Sequence, residues 1–247
     1  MLETLTQAFP SLSLLAWSPP GWGATLLWGL LNSIQIALGA FGVGLVLGTL
    51  GAYGKLYGGP VTRDLLAIYT TVVRAVPELV LILILYFAIT DLVNQGLVAM
   101  GYGRVQVSGL VAGIGVLGVV QGAYATEVLR GAILAVPSGQ IEAARAMGMS
   151  PLGIARRITL PLMLANATPG LANLWLIATK DTALLAIVGF AELTLQTRQA
   201  ASTTKAFLTF YLAAGMLYLL VTLISGFAFA RIEGWARRGQ PKTGSAR

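Results

Sequence analysis

Residues 24–53, ATLLWGLLNSIQIALGAFGVGLVLGTLGAY, contain no charged side chain. At 1.5 Å rise per residue a helix over this stretch is about 45 Å long, enough to cross the hydrocarbon core and both headgroup layers with some tilt. The charge-free run begins farther back, at Thr4, and Pro19-Pro20-Gly21 break it, so the helix is expected from Ala24 to Tyr53. The solvent for this chain is a bilayer.

The remainder agrees. Of 247 residues, 10% are charged and 56% hydrophobic, where a soluble domain carries about a quarter charged residues. The net charge of +7 does not indicate nucleic acid, because the basic residues form no patch and fall at the ends of hydrophobic spans. Cys and His are absent, which excludes disulfides, Cys/His metal sites, thiol nucleophiles and His acid–base chemistry. No catalytic residue and no metal site is expected. No cleavable leader is expected either, since the first residues lack a basic region and include Glu3.

Four further spans are expected. They are Asp64 to Thr90, interrupted by Arg74, Pro77 and Glu78; Val105 to Thr126, continuing as helix toward Val136; Leu164 to Val188, with an irregular start at Pro161 and Pro169; and Ala206 to Ala230. The fold class is therefore an all-α integral membrane protein with five transmembrane helices. The chain divides into a periplasmic or interfacial segment 1–23, a membrane domain 24–233 containing a polar loop 138–161, and a basic cytoplasmic tail 234–247, disordered from Gly239. An odd span count puts the termini on opposite sides. Eleven of the 16 Lys and Arg residues lie in segments on the C-terminal side and three, Arg104, Arg198 and Lys205, on the other. The positive-inside bias thus predicts the N-terminus outside and the C-terminus inside. Trp17, Trp22 and Trp28 suit an interfacial belt or ordinary filling. Gly44, Gly48 and Ala52 form a small-residue stripe, as do Gly109 with Gly113 and Gly118 with Gly122, which suits close helix packing.

The stretch from Arg130 to Pro161 bears the most charge between two spans. It reads as two short helices. The first, Ser138 to Met147, ends at Gly148, a natural left-handed residue. Ser150 caps the second, and Pro151 suits its first position. That helix carries Arg156 and Arg157 and meets Pro161 as the chain re-enters the membrane. A rigid helix–turn–helix at a membrane boundary can transmit force. The chain has no G-x-x-x-x-G-K-[ST] phosphate loop of its own, Gly54-Lys55 being the nearest fragment.

Glu142-Ala143-Ala144, Gly148, Ile158 and Leu160-Pro161 resemble, at matching spacing, the EAA loop of bacterial ABC-importer permeases. Arg74-Ala75-Val76-Pro77-Glu78-Leu79 resembles that family's Arg-Gly-x-Pro signature, with Ala75 in place of Gly. Gly122-Ala123-Tyr124, Glu127, Arg130-Gly131, Ala135-Val136-Pro137 and Lys180-Asp181-Thr182 resemble the polar-amino-acid permeases, those for histidine, lysine, arginine and ornithine and for opines among them. The likeness covers about residues 25 to 230. It implies a type I importer permease in the inner membrane and a coupling helix gripped by a separate ATPase dimer. ATP and Mg would sit on that partner, with no cofactor on this chain. It also implies a second permease subunit, identical or related, and a periplasmic binding protein docking near 91–104 and 191–205. The solute it implies is a polar amino acid of the basic class. The competing reading is a self-sufficient secondary carrier driven by an ion gradient, for which five spans are few and the loop has no purpose.

Charges at bilayer depth cost about 2.5–3.5 kcal/mol each and so face a cavity or a partner. Arg74 and Glu78 are four apart, a pairing distance on a helix, yet Pro77 disfavours helix at Val76 and leaves backbone open beside Glu78. Lys180 and Asp181 splay about 100° apart and need partners elsewhere. The expected pathway residues are Arg74, Pro77, Glu78, Lys180 and Asp181. Glu78 and Asp181 would meet a cationic solute, and Lys180 or Arg74 would balance them or meet its carboxylate. A closed set of structural ion pairs is the alternative. Gln121, Thr126, Asn173 and Thr179 would add hydrogen bonds or hold helices together.

Overall fold

A computed structural model describes residues 10–104 and 108–238; Val105 and the tail from Gly239 lie outside them. A 3-10 turn, Pro10–Leu15, precedes α1 (Gly23–Tyr57), α2 (Pro60–Ala75), α3 (Glu78–Ala99), α4 (Gly109–Leu134), α5 (Ser138–Ala146) and α6 (Pro151–Ile154). A π turn, Ala155–Thr159, leads into α7 (Leu160–Asp181), a 3-10 segment, Thr182–Val188, then α8 (Leu193–Thr204) and α9 (Phe207–Ala236). No strand occurs among the described residues. Five helical stretches are long and apolar enough to span: Gly23–Tyr57, Glu78–Ala99, Gly109–Leu134, Pro151–Val188 and Phe207–Ala236. Their outward sides show large apolar residues such as Leu38, Val46, Phe87 and Leu223, which suits lipid.

The most extensive helix contact joins α1 to α4. A Cβ built on Gly44 would lie 2.8 Å from the Gln121 Cβ, and one on Gly48 2.5 Å from the Ala125 Cβ. Only hydrogen at these positions lets the two backbones approach so closely. The stripe on α4 serves several partners: Gly109 meets Phe190, Gly118 meets Val43, and Gly122 admits Leu47 and the Tyr69 hydroxyl. That hydroxyl donates to the Val119 carbonyl at 2.5 Å and pins α2 against α4. Trp17 and Trp28 are exposed, whereas Trp22 packs with Leu26 and Phe210.

Several expected boundaries move. The span 64–90 is two helices broken at Val76, whose extended backbone (φ −88°, ψ 138°) is what a residue before proline adopts; α3 then runs on to Ala99. The irregular start expected at Pro161 is a π turn rather than a break, and helix runs from Pro151 to Asp181 through both Pro161 and Pro169. The π turn, closed by Leu160 N–H on the Ala155 carbonyl five residues back, stands directly before Pro161 and absorbs its missing donor. Beside Pro169 the Thr168 hydroxyl bonds the Leu164 carbonyl at 2.6 Å, a contact that tolerates a bend. The α-helix ends at Asp181, and the rest to Val188 is 3-10. Helix α9 continues through Arg231 to Ala236, so no structural boundary falls at 234. The stretch 191–205, expected on the outer side, is largely helix, packed through Leu193, Ala200 and Ala201 onto α1 and α9.

Gly48→Ala should lower the thermal unfolding midpoint in detergent by the ~1–3 kcal/mol that overpacking costs. Gly42→Ala, where an added Cβ meets nothing within 4 Å, should be neutral or stabilising. Equal behaviour of the two variants would refute the close-contact account of the α1–α4 seam.

Candidate translocation and coupling sites

The break at Pro77 makes Glu78 the first residue of α3, where the exposed amides of a helix N-terminus favour a carboxylate. Asp181 is the last residue of α7 and is buried, while adjacent Lys180 is exposed, as their angular separation requires. The two carboxyl groups, from different spans, lie beside each other. Tyr124 donates to Glu78 Oε1 at 3.3 Å, and Gln121 donates from Nε2 to Asp181 Oδ2 at 3.4 Å. The Arg74 guanidinium stands 6.0 Å from the Tyr124 ring centroid. Arg74 and Glu78 do not form the pair their spacing allows: with Val76 extended they are no longer on one helix face, and Arg74 is exposed. Among the described residues neither Glu78 nor Asp181 is ion-paired to a Lys or Arg.

Of the secondary candidates only Gln121 reaches the acids. Thr126 and Thr179 bond carbonyls of their own helix, Gly122 and Leu176. Asn173 is exposed. Gln121 Oε1 is the one buried side-chain polar atom without a partner among the described residues. Tyr124 is central to the cluster, although in the sequence it stood only inside a motif; its signal was its place one helical turn beyond Gln121. A second cluster went unseen. Lys55 meets Glu127 at 2.6 Å and Thr70 at 2.6 Å, and Arg130 meets Glu127 at 2.9 Å, joining the ends of α1, α2 and α4. No local pattern marks a pair 72 residues apart.

In the polar loop the expected chemistry is present. Gly148 has φ +75°. Its N–H bonds the Arg145 carbonyl and that of Met149 bonds Ala144, closing α5 with both hydrogen bonds of a left-handed cap. Ser150 Oγ accepts from Gly153 N–H at 3.2 Å with Pro151 at the first position of α6. Glu142 and Ala143 are exposed and Ala144 is buried against the loop. Ile158 is half-buried in the π turn; Leu160 and Pro161 are exposed at the start of α7. The cap also projects Met147 and Leu152, 85% and 79% exposed, two apolar side chains not singled out from sequence.

The model of the family described as binding-protein-dependent transport system inner membrane component matches residues 40–238. The nopaline transport system permease protein of Agrobacterium fabrum is 40% identical over 232 residues, covering 92% of this chain and 98% of that one. The histidine/lysine/arginine/ornithine transport system permease protein of Escherichia coli is 36% identical over 213 residues, 86% and 93% of the two chains. Among solved structures, a chain of an amino acid ABC transporter crystallised with histidines superposes with a TM-score of 0.73 at 27% identity, covering 87% and 95%. These findings favour an importer subunit over a self-sufficient carrier. With its five spans in the type I importer arrangement, the chain belongs to the inner membrane components of binding-protein-dependent transport systems, as a multi-pass permease subunit.

Proposed function

We propose that this permease passes a cationic amino acid or opine. The observation that carries the reading is the meeting of Glu78 and Asp181 beside Tyr124 with no basic side chain paired to either. Two acids in a low-dielectric span are costly unless a cation visits them. Lys180, exposed on the next face of α7, suits the carboxylate of the same zwitterionic solute. Relatives named for nopaline and for basic amino acids support this solute class. The exposed side of the cluster requires a second permease subunit to close the pathway, so this chain forms half of it.

The N-terminus lies outside and the C-terminus inside, which puts α5 and α6 in the cytoplasm. There Glu142, Ala143 and Gly148, together with Met147 and Leu152, dock in a groove of a partner ATPase dimer. Ala144, Ile158, Leu160 and Pro161 hold that handle to α7. ATP and Mg bind on the partner, and this chain catalyses nothing. The inner ends of α1, α2 and α4, tied at Glu127, move as one body when the ATPase dimer closes and the helices rock between inward-open and outward-open forms.

In proteoliposomes holding the complete transporter, Glu78→Gln and Asp181→Asn should each lower uptake of a basic solute roughly tenfold, the effect of about 1.4 kcal/mol, while ATP hydrolysis continues. Unchanged uptake and selectivity in both would sink the solute reading. Gly148→Val forces a β-branched residue into the left-handed region at about 1–2 kcal/mol. It should abolish co-purification of the ATPase with a permease that still inserts normally; retained association would exclude the docking role.

A further inference from the structure

Behind Asp181 lies a buried polar cluster that the pathway does not use. Glu192, at the N-cap of α8, is fully buried. Its Oε1 accepts from Leu195 N–H at 2.8 Å. Its Oε2 accepts from Thr194 N–H at 2.9 Å, the Tyr218 hydroxyl at 3.2 Å and the Ser33 hydroxyl at 3.3 Å. Ser33 Oγ in turn accepts from Leu193 N–H at 3.2 Å. Among the described residues no Lys or Arg pairs with this acid. Burial pushes the Glu192 carboxyl above the usual carboxylate range, against the pull of the Thr194 and Leu195 amides. A helix start needs only a side-chain oxygen, which Ser or Asn supplies without the cost of burying a carboxyl group. Glu192 has the reach to hold α1 and α9 as well.

The cluster extends to the candidate solute site. Tyr218 borders the turn of α7 that carries Asp181, through Thr179. Thr182 is fully buried and donates to the Thr179 carbonyl at 2.8 Å. Thr179, Ser33 and Tyr218 line one small recess. Asp181 therefore sits where α-helix gives way to 3-10 helix, a weaker hydrogen-bonded form that needs outside support. We propose that Glu192 is a positioning residue for solute transfer, holding the Lys180-Asp181-Thr182 turn in place through Tyr218, which packs beside Thr179, the acceptor of the Thr182 hydroxyl. This rests on the reading that Asp181 meets the solute.

The test is uptake of a basic solute per ATP hydrolysed, by the complete transporter in proteoliposomes with saturating loaded binding protein. Glu192→Gln keeps Oε1 as an acceptor for Leu195, and Tyr218→Phe removes a single hydroxyl. Each should cut uptake per ATP several-fold with protein yield and ATP hydrolysis unchanged. Asp181→Asn should cut it alone, and Glu192→Gln added to it should cut it no further, because coupled sites are not additive. Additive losses, or parallel falls in yield and ATP hydrolysis, overturn the positioning role. Unchanged uptake in Asp181→Asn by itself overturns the solute site and the proposal with it.

Discussion

The structure depends on the contact between α1 and α4. In lipid two helices gain nothing by hiding apolar surface from water, so association rests on close packing and hydrogen bonds. Glycines at 44 and 48 bring α1 against the Gln121 and Ala125 turns of α4. Helices α2, α3, α7 and α8 each pack on one or both of that pair. Tyr69 pins α2 to α4, Ser33 on α1 anchors the start of α8, and Gln121, on the seam itself, reaches Asp181. Helix α4 also supplies Gln121 and Tyr124, which bond the two acids of the candidate pathway.

What could be read from sequence follows from the range of the cause. Charge-free runs give five spans because exclusion of charge from the bilayer acts on each segment separately. The cap at Gly148, Ser150 and Pro151 was legible because capping is completed within a few residues. The break before Pro77 was legible for the same reason. Pro161 misled because a π turn earlier in the helix takes up its missing donor, and no residue type announces a π turn. Glu192 was hidden altogether. Its partners Ser33 and Tyr218 are 159 and 26 residues away, and a single acid in an outer loop reads as solvated. The cost of isolated charges in spans, with the break at Pro77, put Glu78 and Asp181 either at one cavity or in a set of ion pairs; they lie beside each other with two residues of α4 and no paired Lys or Arg.

The two acids at the candidate site are held in opposite ways. Glu78 opens a helix, so the free amides of α3 favour its charge. Asp181 closes one, where the carbonyl end of α7 disfavours a carboxylate and favours Lys180. A carboxyl group at the carbonyl end of a helix, beside another carboxyl group, is under electrostatic pressure to turn away or to hold a proton. Nothing local to α7 resists that, since the segment after it is 3-10. Support comes from Gln121 in front, from the Thr182 hydroxyl on the Thr179 carbonyl, and from Tyr218 behind, whose hydroxyl bonds Glu192. Burial of Glu192 is thus explained by where Asp181 sits. On the proposed reading, an acid that meets a cation at a helix C-terminus is held by a second, better satisfied acid behind its turn.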